Sequence, residues 1–204
     1  MKNLVIIAVI AALIWYVFGR DTSIKNADKQ VSVIVAFGDD LTYGEGANGA
    51  HNAYPAVLER LTGKTVINEG YLGEMAVNAA QHLPKVLAHR PQMVLIEFGA
   101  NDYIQRTNQE QTVAAVGEIV DAVQNAGAIA VIVDTGGLGM GYYSKAFKKL
   151  AKKKHAVFVP AILAGVLSKR EYTADMTHPN WKGYKIVADK VYDGIKPYLN
   201  GTSK

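Results

Sequence analysis

Apolar residues in this chain fall into two kinds of run that alternate. Short runs rich in β-branched residues cover Val31–Phe37, Met93–Phe98 and Ala128–Val133, with shorter ones at Lys64–Asn68 and Ala156–Val159. Their length and composition are those of strands buried on both faces. Longer stretches with helical spacing lie between them: Asn52–Leu61, the segment after Gly73 to about His89, Gln109–Asn125, Tyr142–Lys154 and Asn180–Leu199. The third carries one apolar stripe through Val113, Val116, Ile119, Val120 and Val123. Pro55 suits a first helical turn, Pro91 ends the second helix, and Gly127 suits the position after the third. Strand–helix alternation predicts an α/β fold: a parallel sheet of about five strands covered on both faces, a three-layer α/β/α sandwich of the flavodoxin-like kind. One domain accounts for residues 31–200.

The N-terminus follows a different pattern. Leu4–Phe18 is continuously apolar, with Lys2 before it and Gly19-Arg20-Asp21 after it. A helix of that length falls slightly short of a bilayer core of ~30 Å. Trp15 and Tyr16 suit an interfacial position, and with Phe18 they crowd the place where a cleavage site needs small residues. Residues 1–20 are therefore expected to form a membrane anchor that holds the body outside the cytoplasm, periplasmic in a Gram-negative cell. A cleaved signal segment and a secreted body form the alternative. Residues 21–30 are polar and read as a linker.

The whole chain has 204 residues, half of them apolar, enough for a substantial core. Its net charge is +4. Much of the excess sits at Lys145, Lys148, Lys149, Lys152, Lys153 and Lys154, on one predicted helix, and reads as a solvated helix face. Attraction to anionic lipid is the sharper reading; no recognised motif accompanies the charge, so no nucleic-acid partner is expected. There is no cysteine, which excludes disulfides, thiol catalysis and lipoprotein acylation.

Three polar clusters fall where strands end or the last helix begins: Asp39-Asp40, Asn101-Asp102, and Asp175-Met176-Thr177-His178-Pro179. In open α/β sheets that edge binds ligands. Taken singly, such residues are common in turns. Together the clusters resemble the blocks of the SGNH/GDSL hydrolase superfamily. Gly38-Asp39-Asp40-Leu41 resembles its Gly-Asp-Ser-Leu block, Gly73 its lone glycine, Gly99-Ala100-Asn101-Asp102 its Gly-x-Asn-Asp block, and Asp175-x-x-His178 its Asp-x-x-His block. Tyr54-Pro55 and the Val159-Pro160…Gly165-Val166 region are similar to the arylesterase, thioesterase and lysophospholipase branch. The resemblance runs from about Val31 to Leu199. It implies His178 as base, Asp175 as the group orienting it, and an oxyanion hole from the Asn101 side chain, the Gly73 N–H and the N–H of residue 40.

At the third position of the first block this chain has Asp40 where the superfamily has its serine nucleophile. Aspartate is already ionised near neutral pH and needs no base. Three roles are open to it: a carboxylate nucleophile forming an ester or mixed anhydride, a base, with His178, acting on water, or a residue in a non-catalytic relative that keeps the pocket for binding. Alternatively, its carboxylate accepts the hole's own N–H bonds. Thr42 reads as a turn residue, not a replacement nucleophile.

Other classes fit less well. An Asp-x-Asp phosphatase would need a second aspartate where Leu41 stands, and a receiver domain a lysine where Pro160 stands. Asp39, Asp40, Asp102 and Asp175 offer hard oxygen ligands, but the resemblance calls for no metal or cofactor. The expected activity is hydrolysis of a small-molecule or lipid-like carboxylic ester or related acyl bond; a membrane-tethered binding module is the alternative. The glycine-rich stretch Gly136–Gly141 faces the same edge, with Leu138, Met140 and Tyr142 as candidate acyl-pocket residues or as packing for the next helix.

Overall fold

The structure is a computed structural model and describes residues 23–137 and 139–201. The anchor expected at 1–20 and Leu138 lie outside these residues. Among the described residues no helix is long and apolar enough to cross a membrane.

Five parallel strands form one sheet in the order β2-β1-β3-β4-β5. They are β1 (Val33–Gly38), β2 (Thr65–Gly70), β3 (Met93–Glu97), β4 (Ile129–Val133) and β5 (Val157–Val159). The central strands are buried along their whole length, which is why they read as continuous apolar runs. Alternation survives inside those runs, because successive side chains point to opposite faces. Ile34, Ala36, Met93, Leu95, Ile129 and Val131 meet α2 (Tyr54–Thr62) and α8 (Trp181–Ile195). Val35, Phe37, Val94, Ile96, Ala130 and Ile132 meet α3 (Ala76–Ala79), α4 (Leu83–Ala88), α6 (Gln109–Asn125) and α7 (Gly141–Lys154). Two short turns complete the set, α1 (Asp40–Tyr43) and α5 (Ala100–Ile104). The three-layer sandwich is the one the alternation predicts.

One local expectation is corrected, and two further stretches take a definite form. The helix read from Gly73 to His89 is divided into α3, a tight turn at Ala80–His82, and α4. Pro84 lies in the first turn of α4, where its missing N–H is tolerated. The segment after β3 winds into α5, started by Gly99 at φ +116°. Residues 23–30, within the stretch read as a linker, pack against the foot of the sheet. The Asn26 amide donates to the carbonyls of Gln124 (3.0 Å) and Ala128 (2.9 Å), Lys29 donates to Gly127 (2.9 Å), and Ala27 is buried. The lysines of α7 do form a solvated face: Tyr143, Phe147 and Ala151 turn inward, while Lys145, Lys148, Lys149, Lys152 and Lys153 are exposed.

Candidate active site

β1 ends at Gly38, and the chain turns at once into α1. A side chain at 38 would press within 2.2 Å of Thr42 Oγ1 and 2.5 Å of the Glu97 carbonyl, so only glycine permits this close return. Asp39 caps the turn, its Oδ1 accepting from the Leu41 N–H at 3.1 Å. Asp40, the first residue of α1, points away from the core and is half-buried.

Both oxygens of Asp40 are occupied. Oδ1 accepts from the Gly73 backbone N–H at 3.0 Å, and Oδ2 accepts a very short hydrogen bond from the Asn101 side-chain amide. The two donors expected to form an oxyanion hole thus grip the carboxylate of residue 40 itself. The Asp40 N–H, the third expected donor, has no hydrogen-bond acceptor among the described residues.

Gly73 is aimed by its surroundings. It adopts φ +70°, and its neighbour Glu74 is fixed twice: its carbonyl accepts from Asn101 Nδ2 at 3.2 Å, and its carboxylate meets His82 Nε2 at 2.7 Å. The His82 ring stacks on Tyr71 at 3.8 Å, and Tyr71 donates to Glu69 at 2.6 Å. This bracing escapes sequence reading, since neither acid–base pair has a motif of its own.

The last cluster folds as a tight turn. Asp175 Oδ1 accepts from the backbone N–H groups of Thr177 (2.7 Å) and His178 (2.8 Å), and Oδ2 meets His178 Nδ1 at 2.8 Å. Burial pushes the Asp175 carboxyl up, but the bond from His178 and the two N–H bonds outweigh it and hold it well below the usual carboxylate range. The His178 loop packs over the residues following α1: a Cβ on Gly46 would lie 3.4 Å from that of His178, and Tyr184 donates to the Glu45 carbonyl at 2.7 Å. No hydrogen bond joins His178 to Asp40 among the described residues.

Asp102 belongs to the frame. Its Oδ2 accepts from the Ala76 N–H (2.8 Å) and its Oδ1 from the Thr112 hydroxyl (3.1 Å), both buried. The four aspartates weighed as cation ligands are thus divided among separate tasks, and among the described residues no group of three or more His, Cys, Asp or Glu is placed to hold a metal ion. Thr42 is also buried, bonded to Glu97 Oε2 (2.9 Å) and the Tyr54 hydroxyl (3.0 Å), which fits its reading as a turn residue. Glu97 went unnoticed in the sequence; the signal was a charged residue closing an otherwise apolar strand.

The described surface has a groove of about 500 Å³ between α6 and α7, far from these residues. A hollow of about 530 Å³ follows α1, lined by residues 43–50 with Asn68 and Gly70. Neither Asp40 nor His178 is among its lining residues.

A family model described as "GDSL-like Lipase/Acylhydrolase family" matches residues 36–186. Thioesterase 1/protease 1/lysophospholipase L1 of Escherichia coli K12 is 28% identical over 180 residues, spanning 83% of this chain and 86% of that protein. An arylesterase of Vibrio mimicus is 27% identical over 152 residues, spanning 71% and 76%. Among solved structures, TesA superposes with a TM-score of 0.76 at 22% identity, covering 82% of this chain and 99% of its own. The psychrotrophic esterase EstA of Pseudoalteromonas superposes with a TM-score of 0.73 at 24% identity, covering 82% and 98%.

Proposed function

The chain belongs to the GDSL-like lipase/acylhydrolase family, and from that premise we propose that it hydrolyses carboxylic esters with Asp40 as a fixed anion, not as the nucleophile. The family activity is of the esterase type; the finer reading concerns how this chain carries it out. The observation behind it is that Gly73 and Asn101 each donate to one oxygen of Asp40. Hydrogen bonds that stabilise an anion make it a weaker nucleophile, and they hold this one in the place a substrate carbonyl oxygen would need.

In this reading a water molecule bridges Asp40 and His178, which share no direct bond. Its oxygen attacks the acyl carbon while His178 Nε2 takes its proton; the Nδ1–H is held by Asp175. The carbonyl oxygen takes the negative charge beside the free Asp40 N–H. Collapse expels the alcohol oxygen, which recovers the proton from His178, leaving acid and alcohol. With two hole donors engaged by Asp40, the rate is expected to be low, since each lost donor is worth ~10²–10³ in kcat. Leu72, Ile104, Tyr142 and Met176 are exposed on the connections that follow the strands at this edge. They favour an apolar ester, and the names of the relatives point the same way.

The test is multiple turnover of a p-nitrophenyl ester by the full-length chain in heavy-oxygen water, with mass spectrometry of the peptide containing Asp40. Label in the product acid with none in Asp40 is the expected result. Label in the Asp40 carboxylate would establish covalent attack by that residue. Absence of hydrolysis across short and medium chains, with activity appearing in Asp40→Ser, would favour the binding-module alternative.

A further inference from the structure

Beneath the Asp40 turn lie two acids that the proposed reaction does not use. Asp39 and Glu97 are fully buried. Each has one oxygen with a conventional donor: Leu41 N–H on Asp39 Oδ1 and the Thr42 hydroxyl on Glu97 Oε2. Each has one buried oxygen, Asp39 Oδ2 and Glu97 Oε1, that no donor group reaches. The two residues are neighbours, the Asp39 N–H donating to the Glu97 carbonyl at 3.2 Å, and each carboxyl acts on the other's titration. Two carboxylates are both acceptors and leave these oxygens unanswered; a carboxyl carrying a proton has a donor to offer. The groups facing the pair offer no counter-charge. They are Asp40 on α1, the Tyr54 hydroxyl on α2 and Tyr184 on α8, and no ion pair among the described residues includes either acid.

We propose that Asp39 and Glu97 hold a single proton between them and act together as positioning residues for Asp40. With the proton present, one acid donates to the other, both orphan oxygens are satisfied, and the two bonds that fix α1 stay intact. When it leaves, two buried anions oppose each other directly below Asp40. Their repulsion acts on the Asp39–Leu41 and Glu97–Thr42 bonds, which are the anchors of α1. The alignment of Asp40 with Gly73 and Asn101 then loosens. Burial first, and then nearby negative charge, favour keeping the proton: with Asp40 beside it the Glu97 carboxyl is pushed up to about 7, and with Glu97 beside it that of Asp39 is pushed well above its usual range. The consequence for turnover rests on the reading of Asp40 given above; the shared proton does not.

The experiment titrates the full-length chain from about pH 5 to about pH 10, beginning above the range of exposed carboxyls. It records the infrared band of protonated carboxylic acid and the amide resonance of Gly73. The control is the Asp39→Asn/Glu97→Gln double variant, in which an amide N–H can replace the shared O–H. The wild type is expected to show one acid band persisting above pH 6, and the Gly73 resonance should move as that band is lost. The double variant should lack the band and hold the Gly73 resonance steady over that transition. No acid band in the wild type, or a band that survives in the double variant, overturns the shared proton. A Gly73 resonance indifferent to the loss of the band overturns the positioning role. Neither measurement needs turnover, so a failed esterase assay leaves this test standing.

Discussion

The Oδ1 atom of Asp40 lies 3.0 Å from the backbone nitrogen of Gly73 and accepts its hydrogen bond. An oxyanion hole binds a charge that develops on a substrate; here the donor is already bound to a charge that the chain carries. On the proposed reading, binding energy that would discriminate the transition state is therefore partly engaged before substrate arrives.

Replacement of Asp40 by serine is expected to raise kcat on p-nitrophenyl esters by at least about 10²-fold. A serine Oγ cannot span both donors, so Gly73 and Asn101 become available to a substrate oxygen, and His178 gains a hydroxyl to deprotonate. Steady-state kinetics of the two proteins side by side measure the difference. An unchanged or lower kcat in Asp40→Ser would mean that the hole is not limited by the carboxylate within it.

Much of this was legible beforehand, and for identifiable reasons. Strands such as Ile129–Val133 are buried on both faces and so stand out as unbroken apolar runs. Asp40, Gly73, Asn101 and His178 stand out in the sequence because they match the blocks of the family, placed after strands or just before the last helix. The grip of Gly73 and Asn101 on Asp40 was one of several readings, and only the folded chain selects it. The docking of residues 23–30 was hidden because Asn26 and Lys29 bond to backbone carbonyls, which leaves no periodic pattern. Glu97 needed its partner to have meaning, and Asp39 reaches it only once β1 and β3 are paired, Gly38 opposite Glu97.

Asp175→Asn is expected to lower kcat by roughly 10²–10⁴-fold, through loss of the anion that orients His178 and stabilises its protonated form. Its effect on stability should be small, at most about 1 kcal/mol, because the Asp175 side chain is 53% exposed and the pair is screened. The folded-state carboxyl titrates below the unfolded one. The contribution is therefore present above pH ~3.9 and fades as pH falls toward the folded value. Urea unfolding of both proteins at neutral and at strongly acidic pH should show the difference shrinking in acid. A difference that grows in acid would contradict the direction of the shift.

Glu97 has the opposite sign. Its folded-state carboxyl titrates at about 7, above an unfolded value of ~4.3, so the native state binds the extra proton between these limits. Stability should accordingly be highest near the lower limit and decline as pH rises through 7, by an amount on the order of 3 kcal/mol from this group. In Glu97→Gln the decline should be much reduced, making the variant relatively more stable at pH 8 than at pH 5. Thermal unfolding at the two pH values checks this. Parallel curves for wild type and variant would show that Glu97 keeps no proton in the fold.

The final helix is tied to the far edge of the sheet by one cation. Lys190 Nζ donates to the carbonyls of Ala161 (3.3 Å), Ile162 (3.2 Å) and Ala164 (2.5 Å). They belong to the turn after β5, where Ala161 sits at φ +48° and its N–H is held by Asp134 at 3.2 Å. Such a turn exposes carbonyl oxygens that no ladder can satisfy, and a partly buried ammonium with three donors answers them together. Lys190→Met keeps the aliphatic stem but removes every donor, and should destabilise the fold by about 1–3 kcal/mol. In a chain of this size that corresponds to a fall in Tm of roughly 2–10 °C. The start of the helix is secured separately, by the Asn180 cap and by the Tyr184 bond to Glu45. The position of His178, and with it kcat below the melting range, should therefore be unaffected. Calorimetry together with an ester assay separates the two effects. A large loss of kcat at unchanged Tm would mean that Lys190 acts on the site itself, whereas no change in either would show that water satisfies the turn as well as the lysine does.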